Sequence, residues 1–237
     1  MGNINQYERK EWSQWGEDGI IQHLFDVIDT TNKRCVEFGF WPNESNTHIL
    51  IGHHGWTGLL IDDSWIHVTR AREQYAHFDA TLVTARLTAE NINDVMRDAG
   101  FTGSIDLLSI DVDGIDYYLW EALTVIDPRV VIIEYNASMG PYESVTIRYD
   151  PTFNRLQSGC DPIYHGASLQ ALTKLAHRKG YFLVGCESHG INAFYVKTPL
   201  KPLLQEVSVE EAFHPIFCRK PWPQLIEVIR KCGLQSV

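Results

Sequence analysis

The chain has 237 residues, 44% of them hydrophobic and 21% charged, with a formal net charge of -10. That length suits one large domain with an ample core, and the composition is that of a globular protein rather than a disordered or fibrous one. The acidic balance argues against a nucleic-acid groove, which needs clustered Lys and Arg, and no apolar run approaches the roughly 18 residues needed to cross a bilayer.

The polar N-terminal segment lacks the apolar core of a signal peptide. Cys35, Cys160, Cys186, Cys218 and Cys232 are odd in number and scattered, without CxxC or zinc-finger spacing. This predicts reduced thiols in a cytoplasmic protein with no membrane partner. Ser13, followed by Glu17 and Ile20-Ile21, resembles a helix-start signal.

From there, short apolar runs alternate with helical segments. Arg34–Gly39 predicts a strand, followed by a turn with Pro42 and Asn43 and a helix near 45–54. Thr57–Asp62 predicts the second strand, with a helix over 65–77. Ala80–Ala85 predicts the third, with a helix around 90–99. Ile105–Asp111 predicts the fourth, with a helix at 115–124, and Val130–Tyr135 the fifth. This rhythm predicts a parallel sheet with right-handed crossovers and helices on both faces.

The end of the chain breaks the rhythm. A polar loop over about 137–165 exceeds the usual connection length and predicts a lid or substrate-binding element. The helix Ser168–Lys179 is closed by Gly180. Tyr181–Cys186 and Ile191–Val196 are separated by four residues only, too few for a parallel crossover, so they predict an antiparallel hairpin. Residues 198–237 read as a packed appendage ending in the helix Pro223–Lys231. The tryptophans read mostly as core or loop packing.

The strand ends carry the chemistry. Continuous apolar runs suit strands buried on both faces, and ligands bind open α/β sheets at the carboxyl ends of the strands. Asp111 and Asp113 follow the fourth strand; Glu134 and Asn136 end the fifth. Asp111 or Asp113 reads as a general base toward a hydroxyl, or the set Asp111, Asp113, Glu134 and Asn136 as hard oxygen donors for Mg²⁺ or another divalent cation. Asp113-Gly114 also reads as a turn that starts the next helix. A carboxylate at Asp62, or its neighbour Asp63, suits the two hydroxyls of a ribose, or a simple turn. His165 and His189 are candidate bases near neutral pH. His53-His54 suits the carboxyl end of a helix.

These residues carry a resemblance. Ser13–Asp18, Val36-Glu-Phe-Gly39, Ile110–Gly114, Ile133–Asn136 and Gly190–Phe194 resemble a class I S-adenosylmethionine-dependent methyltransferase of a bacterial FkbM-like branch, over roughly residues 12–197. The resemblance implies a Rossmann-like α/β fold with a seven-stranded, mostly parallel sheet and a terminal antiparallel hairpin. It divides one methyltransferase domain into a cofactor-covering segment (1–32), a core (33–197) and an appendage (198–237). It implies O-methylation of a hydroxyl on a sugar, nucleotide-sugar or secondary metabolite in natural-product or polysaccharide biosynthesis.

On this chain the resemblance assigns cofactor contacts to Gln14, Glu37, Gly39, Asn46, Asp62, Asp63, Arg86 and Asp111. It assigns acceptor contacts to Tyr142, Arg148, Tyr149 and Asn192. In the acid-x-Gly-x-Gly pattern only Glu37 and Gly39 match, and Trp41-Pro42 stands where further glycines usually lie. A small-molecule acceptor and a homodimer are compatible partners. The competing readings are a nicotinamide-dependent oxidoreductase, opposed by the lack of GxGxxG after the first strand, and a non-catalytic metabolite-binding protein.

Overall fold

The computed structural model describes residues 4–216 and 221–237. Five parallel strands form as the apolar runs require: β1 (Arg34–Phe38), β2 (Thr57–Asp62), β3 (Ala80–Thr84), β4 (Gly103–Ile110) and β5 (Ile126–Glu134). The strands β7 (Tyr181–Cys186) and β8 (Asn192–Lys197) close the sheet as an antiparallel hairpin, with β8 antiparallel to β5. The sheet order is β3-β2-β1-β4-β5-β8-β7, the α/β architecture expected from the alternating pattern.

Helices cover both faces because each strand is apolar on both sides. On one face α1 (Glu17–Ile28), α2 (His48–His53) and α3 (Trp65–Gln74) pack Leu24, Ile51 and Val68 against Cys35, Leu60 and Leu107. On the other, α4 (Ile92–Asp98), α5 (Asp116–Ala122) and α6 (Leu169–Lys179) pack Met96, Trp120 and Leu172 against Phe38, Ile61 and Ile110. Neighbouring residues of one strand thus serve opposite cores, as the two-residue period demands. The α6 helix starts on Ser168, whose side chain accepts from the Ala171 amide, and stops at Gly180 with φ +85°, a left-handed position that suits glycine.

Two expectations need correction. The stretch 137–165 is not all loop: β6 (Val145–Ile147) pairs antiparallel with β9 (Leu234–Ser236) near the end of the chain. The appendage, with α7 (Val209–Ala212) and α8 (Trp222–Arg230), is thereby stitched to this segment. The thiols are not all reduced either. Cys160 and Cys232 are joined as a disulfide, because the fold brings their Cα atoms to 6.1 Å across a separation of 72 residues. Cys35 and Cys186 are free and buried; Cys218 lies outside the described residues. The tryptophans are mostly packed, as expected: Trp56 and Trp120 are core residues, while Trp41 and Trp65 stand 63% and 67% exposed.

Candidate active site

The chain reverses its winding direction between β1 and β4, and a cleft of about 570 Å³ opens there at the carboxyl ends of the parallel strands. Its floor is Gly39. A Cβ on this residue would lie 1.6 Å from the Asp111 carbonyl oxygen, and its φ is +71°, so only glycine lets the two strand ends meet.

Glu37, the last inward acid of β1, lines the cleft but is heavily engaged. It accepts from Ser45 Oγ (2.6 Å), Thr47 Oγ1 (2.6 Å) and the amides of Asn46 (2.8 Å) and Thr47 (3.2 Å). Burial raises its carboxyl above the usual range, against these hydrogen bonds. Asn46 lines the cleft beside it and donates to Ser109 Oγ at 3.0 Å. Where further glycines would be expected, Trp41 and Glu44 close a tight turn by two mutual backbone hydrogen bonds of 3.0 Å.

Asp62, at the end of β2, accepts from the amides of Ser64 (2.8 Å) and Phe40 (3.3 Å), and His67 Nδ1 lies 3.2 Å from Oδ1. Burial raises this carboxyl too. Asp63, Ala85 and Arg86 line the same side. Arg86 faces Asp63 at 3.7 Å and donates to the carbonyls of Pro151 and Phe153. Gln14 enters from the N-terminal segment. That segment is folded around Asp18, whose Oδ2 accepts from the amides of Glu11, Trp12 and Ser13 and from Ser13 Oγ. Ser13 Oγ in turn accepts from the Asp18 amide at 3.2 Å in the first turn of α1, which begins at Glu17 after Gly16.

Beyond β4 and β5 lies an acidic cluster. Asp111, Asp116 and Glu134 offer carboxylate oxygens within 4.8 Å of one another, as do Asp113, Glu134 and His165 with their ligand atoms. Burial, then the charges of Glu134, Asp113 and Asp116, push the Asp111 carboxyl well above the usual carboxylate range. Asp113 has a left-handed backbone (φ 56°) and pairs with Arg155. The Asp113-Gly114 turn is thus real, and Asp113 still faces the cleft. Asp116, which the sequence reading passed over, is fully buried and accepts from the amides of Val112 and Gly114. Its spacing after Asp111 and Asp113 is the signal that was available.

His165 is buried 3.4 Å from Glu134, behind the cleft lining rather than in it. Asn136 does not join the donor set as proposed: it donates to the carbonyls of Ile163 and His165 and accepts from the Ser138 amide. His189 is stacked on Trp15 at 4.2 Å and contacts Glu187 at 3.2 Å, outside the cleft lining.

The three loop contacts proposed for an acceptor also point elsewhere. Tyr142 stands exposed against Trp222. Arg148 lies beside Gly233. Tyr149 donates to Glu90 at 2.6 Å and accepts from the Ala89 amide. Their place is taken by a strap over 153–162, from which Phe153, Asn154, Arg155, Leu156 and Pro162 line the cleft. Asn192, at the start of β8, does reach the cleft. It is 3% exposed, donates to Glu17 at 2.9 Å, and its Oδ1 has no protein partner.

No protein-family model matches the chain, and no curated protein does. Among solved structures it is similar to an O-methyltransferase from Bacillus cereus in complex with SAH, at 16% identity and a TM-score of 0.49, covering 81% of this chain and 85% of that one. It is similar to the methyltransferase domain of bacterial CtHen1-C, at 11% identity and a TM-score of 0.48, over 82% and 99% of the two chains. It is also similar to the N-terminal domain of EvdMO1 with SAH bound, at 12% identity and a TM-score of 0.47, over 80% and 81%.

Proposed function

We propose that the protein is an S-adenosylmethionine-dependent O-methyltransferase acting on a hydroxyl of an uncharged small molecule such as a sugar or secondary metabolite. One observation carries the reading: three adjacent parallel strands, β2, β1 and β4, each deliver an acid (Asp62, Glu37, Asp111) into one cleft at the point where the sheet reverses. A half-buried carboxylate at Asp62 suits a ribose diol, and the unpartnered, buried Asn192 Oδ1 calls for a ligand donor. The volume is that of an ordinary small-molecule site.

When bound there, the cofactor supplies a methyl group activated on a sulfonium. The chain's own part is to orient the acceptor and hold its proton. Asp111, its basicity raised by burial and neighbouring carboxylates, would take the proton of the acceptor hydroxyl as that oxygen receives the methyl group. The Asp111 carboxyl would then carry that proton away from the acceptor.

Glu37, Glu44, Asp62, Asp63, Asp111 and Asp113 line the cleft against Arg86 and Arg155. That balance disfavours the diphosphate of a nicotinamide dinucleotide or of a nucleotide-sugar. The convergence of Asp111, Asp116 and Glu134 supports a second reading of the same cluster. Hard oxygen donors of this kind fit Mg²⁺, whose chemistry would be to lower the pKa of the acceptor hydroxyl.

Calorimetric titration with S-adenosylhomocysteine, with and without Mg²⁺, tests the proposal. Saturable binding is expected, and no heat in either condition would overturn it. A Mg²⁺-dependent rate abolished by EDTA would favour the cation over the free carboxylate.

A further inference from the structure

Trp41 is out of place as a packing residue. Its side chain is 63% exposed, and unlike the similarly exposed Trp65 and Tyr142 it lines the cleft. It is also held firmly. The Trp41–Glu44 turn is closed by paired backbone hydrogen bonds. The indole leans on His67, with ring centroids 4.4 Å apart and planes inclined by 40°. His67 in turn lies 3.2 Å from Asp62, and Asp62 accepts from the amide of Phe40, the residue before Trp41. The indole, the imidazole and the carboxylate therefore form one connected unit on the β2 side of the cleft. A ligand whose hydroxyls reach Asp62 lies beside the indole.

We infer that Trp41, positioned by His67, is an aromatic cap over the nucleoside half of the cofactor, packing on the purine–ribose unit whose diol Asp62 accepts. This rests on the methyltransferase reading of the cleft. The cap does the work that a glycine-rich loop would otherwise do. A loop with little side chain approaches its ligand through backbone, whereas this loop meets it with a flat apolar surface. Rings stack on such surfaces with useful affinity whatever their hydrogen-bonding pattern. The remaining exposed aromatic nearby, Trp65, is not part of the cleft lining, so the inference concerns Trp41 alone.

The experiment titrates S-adenosylhomocysteine and 5′-methylthioadenosine, which lacks the amino-acid half, into the wild type, Trp41→Phe and Trp41→Ala. Trp41→Ala should weaken both ligands about 5- to 100-fold and by the same factor, the range typical of losing one stacked base. Trp41→Phe should keep most of the affinity. Acrylamide quenching of indole emission should fall when ligand binds the wild type and stay unchanged in Trp41→Phe. All three proteins should melt together, since the side chain is mostly in water.

Wild-type affinity in Trp41→Ala would overturn the inference. So would a loss seen with S-adenosylhomocysteine but not with methylthioadenosine, which would put the indole over the amino-acid half. Failure of the wild type to bind either ligand would instead overturn the methyltransferase reading beneath it.

Discussion

Replacing Gly39 with alanine perturbs the point where β1 and β4 meet. The new Cβ would start 1.6 Å from the Asp111 carbonyl oxygen and 2.7 Å from its carbon, whereas real Cβ contacts do not fall below 3.0 Å. The obstacle is backbone, which has no rotamer to turn away, so the two strand ends must part by about 1.4 Å, the difference between 3.0 and 1.6 Å. The left-handed φ of +71° adds strain, roughly 1–2 kcal/mol for a residue with a Cβ. Together with the clash this predicts a loss of about 3 kcal/mol or more, which lowers the melting temperature by about 6–12 °C in a chain of this size. The function should suffer more than the fold. Asp111, the proposed base, sits at one of the ends being parted, and a displacement of about 1 Å at a reacting group costs on the order of 100-fold in rate. Scanning calorimetry and titration with S-adenosylhomocysteine measure the two effects. A variant that melts within about a degree of the wild type and binds with unchanged affinity would refute the role of this contact.

Asp106 is a fully buried carboxylate in β4 that accepts from the amides of Thr31, Asn32 and Lys33 and from Thr31 Oγ1, and pairs with Arg129 at 3.0 Å. Burial alone would raise its pKa, but hydrogen bonds from Thr31, Asn32 and Arg129 outweigh burial and hold it below the usual value. Its contribution to stability is therefore full above the unfolded-state pKa and is lost as pH falls through the folded one. Asp106→Asn should cost about 3–5 kcal/mol at neutral pH and flatten the acid side of stability measured by urea denaturation; an unchanged midpoint would sink this account. For Asp111 the sign is opposite, since its pKa is raised: the ionised form is a burden on the fold, present as pH rises through the folded pKa. Asp111→Asn should melt higher than the wild type at neutral pH while losing roughly 100- to 10,000-fold in methyl transfer, read as S-adenosylhomocysteine release with an acceptor the wild type uses; lower stability with intact turnover would contradict it. Cys160→Ser releases the cross-link over 72 residues, worth roughly 4 kcal/mol in the chain-entropy account. It should also open the strap, so that trypsin cuts after Arg155 faster than in the oxidised wild type, and equal cleavage rates would show that the disulfide does not hold the strap.

The sheet was legible because a strand buried on both faces must be mostly apolar, and the central residues of β1, β2 and β5 obey this, while β4 does so with Asp106 and Ser109 as its buried polar exceptions. The same rule marks Glu37, Asp62 and Asp111 as residues that stop at the edge of the core. What the sequence hid depends on pairing over distance. Three-residue strands such as β6 and β9 carry no periodic signal, and their partner is chosen by the fold. Cys160 and Cys232 have no diagnostic spacing until the appendage brings them together. Side-chain direction in loops was equally out of reach. Asn136 and Tyr149 are residue types that suit a ligand, but nearby backbone groups claim them first, whereas Asn192 keeps one oxygen unclaimed.

The loop after β1 shows how a degenerate motif can still build a rigid site. Where glycines would let backbone amides approach a ligand, this chain fixes residues 41–47 from within. Ser45, Asn46 and Thr47 all donate to the Glu37 carboxylate, and Trp41 and Glu44 lock the turn above them. With four donors already gathered on it, Glu37 serves to hold this loop's shape more than to grip a ligand. Recognition then falls to groups with capacity left: the Asp62 carboxylate, the Asn192 Oδ1 and the Trp41 ring. These are side chains held in place before any ligand arrives, so little ordering remains to oppose binding. A loop without those glycines can therefore still serve the proposed cofactor cleft, because its rigidity comes from a buried acid and its internal donors rather than from the backbone alone.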